Sequence, residues 1–406
     1  MKKSVTYGWT LTACYLGYIT QAISINLLPL LYVTFQNQFE ISLQQIGLTA
    51  TVIFVVQLSV DALATRYGRY ISYRAGCVAA HIFATVGLVC MSFLPGLLPD
   101  PYVGVLISAV LLSVGGGLTE VLISPVVDAM PGERKTGAMS LLHSFYCWGV
   151  VAVVLLSTVF FALVGTRSWA LLPLLWAMVP AVTAVLFVVV PMPPKPEELA
   201  GGQGMTLRQL LSNGTVWLLL ALMIFSGAAE MAPGQWASLF AEEGLGVSKT
   251  FGDLLGPCAF ALLQGTSRIL FAGFSRRWDP VRLLGVCGVG CVLGYLLIVL
   301  SPWPAVSLLG FCVAGLAVGP MWPGVLSVSS ARYPTGGTTL FALLALCGDI
   351  GCSTSPGVVG AVSNGLQNGG FSLIASLRGG FGVCVLFPVL LTLGLWFLAG
   401  RKKASR

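Results

Sequence analysis

The chain has 406 residues, of which 9% are charged and 56% are hydrophobic, and its formal net charge is +7. A soluble chain of this length needs far more charge to cover its surface, so the composition excludes a water-soluble globular protein. Apolar runs of roughly 18 or more residues recur along the sequence and predict a polytopic membrane protein of transmembrane helices. The runs are too long and too continuous for the alternating strands of an outer-membrane barrel.

The apolar runs predict twelve membrane-spanning helices. In chain order they cover 7–35, 43–65, 72–94, 102–130, 138–163, 168–191, 214–241, 249–275, 281–300, 304–332, 337–362 and 378–400. The longest polar gap predicts a cytoplasmic linker at 192–213, between an N-terminal six-helix bundle (1–191) and a C-terminal six-helix bundle (214–406). Two such halves are typical of transporters built from parallel repeats, whose substrate site lies near the midplane.

The basic residues between the spans predict the orientation. With the N-terminus in the cytoplasm, Arg167, Lys249 and Arg378 fall in outer segments and Arg268 falls within a span. The rest of the 21 Lys and Arg residues fall in or beside inner segments. This asymmetry follows the positive-inside rule, so both termini are predicted to be cytoplasmic. The positive charge is then a signal of topology rather than a nucleic-acid footprint.

Cofactor and catalytic motifs are missing from the sequence. The 11 Cys are scattered singly, mostly in apolar runs, as expected for reduced and buried thiols. The glycine-rich stretches 115–117 and 201–204 lack the Lys-Ser/Thr that follows a phosphate-binding loop. We therefore expect no cofactor, no metal site and no enzyme activity.

Glu120 lies midway along the fourth span, in the stretch GGGLTEVLISPVVDAM. A charged group at bilayer depth costs about 2.5–3.5 kcal/mol on insertion scales. Helical periodicity puts Glu120 on a stripe of small and polar residues, opposite a stripe of apolar ones. The two stripes are Ser113, Gly117, Glu120, Ser124 and Asp128, and Leu111, Leu118, Leu122 and Val126. We expect Glu120 to face the bundle interior or a water-filled cavity, where it exchanges a proton or accepts sugar hydroxyls; the alternative is a protonated structural bond to another helix.

The eighth span contains Arg268, which keeps its charge and needs a partner inside the membrane. Glu230, Asp349 and Glu120 are the candidates, and the sequence leaves the choice open between them, as it does between a salt bridge and a substrate contact. Gln264 lies one turn before Arg268 on the same face, where it could bind a ligand. Glycines and a proline flank Glu230 and predict a broken or bent seventh helix, of the kind that exposes backbone groups to a substrate.

Aromatic residues are candidates because sugar rings present apolar C–H faces. Tyr146, Trp236 and Trp322 are the predicted contacts, although anchoring at the membrane interface is the alternative for each. Trp322 is the strongest, since GPMWPG should disrupt the tenth helix beside it. His143 lies in a span and can change charge near neutral pH, but a neutral core histidine is an equal alternative.

The layout resembles that of the major facilitator superfamily. DALATRYGRY, between the second and third spans, is similar to the family pattern G-x-x-x-D-R-x-G-R-[RK]. Arg66, Gly68 and Arg69 match the pattern, whereas Asp61 replaces a Gly and Thr65 replaces the Asp. The resemblance implies twelve helices in two pseudo-symmetric bundles and a conformational-switch loop formed by Asp61, Arg66, Gly68 and Arg69.

Within this superfamily, the chain resembles the fucose/glucose/galactose-type sugar:proton symporters. The shared features are Glu120 followed by Pro125, LLHSFYCWG with His143 and Tyr146, GAAEMAPGQW with Glu230 and Trp236, QGTSR with Arg268, and GPMWPG with Trp322. The proton-coupled type has an Asp on helix one, four residues before a Pro. Here Ile25 precedes Pro29 in that arrangement, and the first helix offers only Gln21, Ser24 and Asn26.

Together these features predict a secondary transporter that moves a small polar solute, foremost a monosaccharide, by alternating access with proton coupling through Glu120. The alternatives are a sugar uniporter, an organic-anion carrier with Arg268 as counter-ion, and a drug:proton antiporter, whose Gly-Pro motif on helix five is missing here. A free Arg268 would favour an anion, and a paired one a neutral solute. We expect a monomer in a bacterial inner membrane, with solute, protons and lipid as its partners.

Overall fold

The computed structural model describes residues 6–132, 135–199, 204–248, 251–252, 254–275 and 277–404. Within these ranges the chain is helical without strands, and twelve helices are long and apolar enough to span a membrane. The predicted fold class is therefore confirmed. The spans, named α1 to α12, are Tyr7–Phe39, Gln44–Tyr70, Tyr73–Leu97, Pro101–Ala129, Lys135–Val164, Leu171–Val189, Gly214–Gly244, Leu254–Phe274, Pro280–Leu300, Pro304–Arg332, Gly337–Asn368 and Leu373–Gly400. The short helices Pro196–Leu199 and Leu207–Leu211 lie between α6 and α7.

Capping residues explain several helix ends. Ser42 forms a reciprocal capping box with Gln45 at the start of α2. Asp100 and Asp279 accept hydrogen bonds from first-turn amides of α4 and α9, each of which begins with a proline. These local signals keep the predicted boundaries close to the observed ones. The predicted start of the eighth helix at 249 lies outside the described residues, as do Lys2, Lys3, Arg134, Lys249, Arg276 and Arg406, which contributed to the predicted orientation.

Proline affects the tenth and seventh helices differently. The interruption predicted for the tenth helix is confirmed, because α10 consists of Pro304–Val318 and Met321–Arg332 with Gly319 and Pro320 between them. The seventh helix is not broken beside Glu230, because the helix Gly214–Leu245 continues through Pro233, and the alternative of a bent helix stays a prediction. Pro233 has no N–H for the Ala229 carbonyl, and the Tyr295 hydroxyl donates to that carbonyl instead at 3.0 Å. A neighbouring helix thus satisfies the group that the proline leaves free.

The chain divides into two compact units. Unit 1 comprises Met1–Gly132, Phe145–Leu207 and Pro334–Leu343, and unit 2 comprises Glu133–Ser144, Arg208–Tyr333 and Leu344–Arg406. The start of α5 therefore belongs to unit 2 and the start of α11 to unit 1. In unit 1, α4 packs against α1, α2 and α3; in unit 2, α7 and α9 each pack against α10 and α12. The six-plus-six division with a linker at 192–213 stays a prediction.

Candidate functional site

The polar stripe of α4 is buried, as the sequence predicts. Glu120 is 9% exposed, and Ser113, Ser124 and Asp128 are also buried. Leu122 and Val126, on the opposite apolar stripe, are fully buried as well. The physical reason is that α4 is surrounded by three other helices of unit 1, so burial by itself does not mark one face as the interior.

Glu120 joins three helices of unit 1 through its carboxyl group. Its Oε2 accepts hydrogen bonds from Gln21 Nε2 on α1 at 2.7 Å and from Gln57 Nε2 on α2 at 2.8 Å. One turn further along α4, the Ser124 hydroxyl lies 2.7 Å from the Tyr18 hydroxyl. Two amide donors directed at one oxygen are suited to an acceptor-only carboxylate. The structure therefore brings together Gln21 and Glu120, two of the candidate residues that the sequence analysis named separately.

Sequence reasoning missed Gln57 and Tyr18. Gln57 could have been found from the sequence, since a polar side chain in the middle of an apolar span indicates a contact inside the bundle, as a charged one does. Asn26, in contrast, was a candidate for solute binding, but its Nδ2 donates to the Ala22 carbonyl of its own helix at 2.9 Å. Tyr146 is half-buried in unit 1.

The four predicted switch residues lie in the last turns of α2 rather than in a loop after it. Asp61 and Gly68 are buried, Arg69 is half-buried and Arg66 is exposed. A Cβ atom on Gly68 would lie 2.8 Å from Thr338 Cγ2 at the start of α11, so the glycine permits this close approach. The Lys195 ammonium donates to the Arg69 carbonyl at 2.7 Å, which joins the end of α2 to the segment after α6.

Arg268 on α8 is the centre of the polar cluster in unit 2 and is only 2% exposed. Its Nη2 lies 3.2 Å from both carboxylate oxygens of Glu230 on α7. Its Nη1 donates to the His143 carbonyl at 2.9 Å, and its Nε donates to the Gly319 carbonyl at 2.7 Å. Of the three candidate partners that the sequence left open, Glu230 forms an ion pair with Arg268.

The Gly319 carbonyl is available to Arg268 because the backbone N–H that would donate to it in a continuous helix is missing. In a continuous helix this carbonyl would accept from the amide of residue 323, but residue 323 is a proline and has no N–H. The interruption of α10 beside Gly319 and the missing donor together present a backbone acceptor to the guanidinium. His143 likewise contributes its carbonyl to Arg268, while its buried ring is not part of that contact.

The two aromatic side chains of unit 2 that were predicted to contact the solute, Trp322 and Trp236, already contact other residues of the protein. Trp322 is 7% exposed and lies against α11, where a Cβ atom on Gly348 would be 2.2 Å from the indole ring. Trp236 is half-buried and its Nε1 donates to the Pro356 carbonyl at 3.2 Å. Gln264 and Asp349 are both buried. Among the described residues, no three His, Cys, Asp or Glu side chains are grouped so as to hold a metal ion.

Twelve apolar helices in the described part of the chain define a multi-pass membrane protein, and a buried ion pair within its spans is typical of a functional site in such proteins. Residues 14–356 match the model of the Major Facilitator Superfamily, so the chain belongs to this family. Its members are transporters rather than enzymes. None of the curated protein sequences matches the chain.

Solved structures with the same fold include transporters of several solutes. The chain is similar to the E. coli fucose:proton symporter FucP, with 16% identity over 97% of this chain and 99% of that chain and a TM-score of 0.78. The proton:xylose symporter XylE has 15% identity over 96% and 95%, with a TM-score of 0.80. The human organic anion transporter MFSD10 has 15% identity over 96% and 99%, with a TM-score of 0.70. At these identities the likeness concerns the fold alone.

Proposed function

We propose that the chain is a secondary transporter of a small neutral polar solute, foremost a monosaccharide. The observation that carries the proposal is the ion pair between Arg268 and Glu230, which neutralises the buried guanidinium. An anion carrier needs a buried cation whose charge is available to the solute, whereas a neutral solute needs hydrogen-bonding groups without excess charge. In unit 1, the side chains of Gln21, Gln57 and Glu120 offer such groups.

The fold relatives support a sugar without deciding it. FucP and XylE are described as fucose:proton and proton:xylose symporters, whereas MFSD10 is described as an organic anion transporter. The organic anion is therefore the second candidate. It would require the solute to replace Glu230 at Arg268, and the 17% exposure of the Glu230 side chain is the feature that favours this exchange.

Glu120 is our proposed site of proton coupling. Its ionised carboxylate is only an acceptor and can hold the amides of α1 and α2 together, whereas its protonated form is also a donor and competes with those amides. Proton uptake would thus change the contacts among three helices. With Ile25 in place of the family's Asp, this carboxyl would act without a second acid on the first helix, and uniport is the alternative.

A ligand panel on the purified full chain tests the choice of solute. We expect neutral monosaccharides to raise the melting temperature and to give saturable binding by calorimetry, while organic anions and lipophilic cations do not. Binding of organic anions, with no response to any monosaccharide, would instead establish the second candidate. The variant Glu230→Gln serves as an internal check, since it frees the charge of Arg268 and should increase anion binding relative to the unaltered chain.

Replacing Glu120 tests the coupling. In proteoliposomes with a proton gradient, we expect Glu120→Gln to reduce solute accumulation to equal inner and outer concentrations, while exchange of labelled for unlabelled solute continues. Glu243→Gln, at an exposed position of α7, is the matched control and should accumulate solute as the unaltered chain does. Undiminished accumulation by Glu120→Gln would refute the coupling role, and lack of accumulation by the unaltered chain would show uniport.

A further inference from the structure

Unit 2 contains a crevice of about 350 Å³ that the transport proposal does not use. It is formed by the start of α5, the start of α9 and the final turns of α10 and α12. Its walls are mostly apolar and include Val281, Val328 and Leu398, and its polar lining residues are Thr136, Ser327 and Arg332. A crevice of this composition can hold an amphipathic molecule with one polar end.

Within the described part of the chain, the polar lining residues lack protein partners. The Ser327 side chain is 3% exposed, and its hydroxyl makes no hydrogen bond. A buried hydroxyl without a partner costs free energy, so a ligand atom that accepts its proton would stabilise this arrangement. Arg332 is exposed at the end of α10 and, among the described residues, forms no salt bridge.

The charge around the crevice favours an anion. Lys135 adjoins Thr136 in sequence, and Arg282 adjoins Val281. The carboxylate of Asp279 lies nearby in sequence but is engaged with its own helix, because its Oδ1 accepts from the amides of Val281 and Arg282 at 3.1 and 3.2 Å. The first-turn amides of α9 are thereby capped, so the anion would bind to side chains rather than to that helix end.

These observations point to a phosphate group with an attached apolar tail. A guanidinium and two hydroxyls provide the donors that phosphate oxygens accept, and the apolar wall can contact acyl chains. The segments beside the crevice carry the excess of basic residues that predicts the cytoplasmic side, where anionic lipids concentrate. We propose that the crevice binds the phosphate of an anionic phospholipid through Arg332, Ser327 and Thr136.

Binding of short-chain lipids to the purified full chain tests this assignment, and the test does not depend on the identity of the transported solute. Dioctanoyl phosphatidylglycerol, dioctanoyl phosphatidylcholine and inorganic phosphate are titrated separately and followed by native mass spectrometry and calorimetry. We expect saturable binding of phosphatidylglycerol that is much tighter than that of the other two probes. Arg332→Gln should weaken it by about tenfold and Ser327→Ala by about threefold, because each loses one donor to a charged oxygen.

Arg282→Gln is the matched control, since Arg282 is an exposed arginine of the same segment that does not line the crevice. Its affinity for phosphatidylglycerol should stay within about twofold of the unaltered chain. Equal weakening by Arg282→Gln and Arg332→Gln would indicate unspecific attraction and overturn the proposal, as would unchanged affinity in Arg332→Gln and Ser327→Ala. Inorganic phosphate that binds as tightly as the lipid would assign the crevice to a soluble phosphate compound instead.

Discussion

Arg268 shows how a permanent charge is tolerated inside a membrane span. Its guanidinium donates to the carboxylate of Glu230 and to the backbone carbonyls of His143 and Gly319. The carboxylate supplies a full opposite charge, whereas the carbonyls supply only dipoles, so removing the carboxylate weakens the compensation of the guanidinium charge. Loss of one partner of a buried ion pair is therefore more damaging than loss of both.

We predict that Glu230→Gln lowers the free energy of unfolding by up to about 3–5 kcal/mol, reduced to the extent that water reaches the 17% exposed Glu230 side chain. The thermal midpoint of the purified chain in detergent measures the effect. Glu243→Gln, an exposed position of the same helix, should leave the midpoint unchanged. The double variant Glu230→Gln, Arg268→Gln should be more stable than the single one; a double variant that is less stable would contradict this account of the charge.

At the scale of helices, α11 and the second part of α10 pack too closely for any side chain at Gly348. We predict that Gly348→Ala destabilises the chain by about 1–3 kcal/mol, because its Cβ would meet the Trp322 ring at 2.2 Å. Gly357→Ala on the same helix is the control, since nothing lies within 4 Å of its Cβ position. The control should be neutral or stabilising, as alanine is the better helix former. Equal midpoints for the two variants would show that Trp322 moves aside freely.

The helices themselves could be predicted because length and hydropathy are local properties of the sequence. The interruption of α10 at Gly319 and Pro320 could also be predicted, because it follows from the residues of that segment alone. The continuity of α7 through Pro233 could not be predicted locally, since Tyr295 of another helix donates to the Ala229 carbonyl that the proline leaves free. The burial of Leu122 and Val126 likewise depends on the other helices that surround α4.

At the scale of the whole chain, the number of spans followed from composition and charge, and the family resemblance followed from the layout and the motifs. The pairing of distant residues could not be predicted in this way. A single sequence does not specify that Gln57 contacts Glu120, or which acid pairs with Arg268. The three candidates for Arg268 were equivalent in type and depth, and only the packing of α7 on its neighbours distinguishes Glu230.

We predict that both termini are cytoplasmic, on the strength of the basic segments. Alkaline phosphatase, which is active only outside the cytoplasm, should be active when fused after Arg167 and inactive when fused after Lys195 or Arg406. A fluorescent protein that folds in the cytoplasm should give the complementary pattern. Phosphatase activity of the fusion after Lys195 would show that the orientation is the opposite one, and it would place the proposed lipid crevice at the outer leaflet.

Because Pro323 has no N–H, it leaves the Gly319 carbonyl free to accept from Arg268. A chain that regains an amide at this position would give the Gly319 oxygen an intrahelical partner, and the guanidinium would have to compete for it. Across homologous sequences we therefore expect positions 268 and 323 to covary, with arginine at the first retained where proline occupies the second.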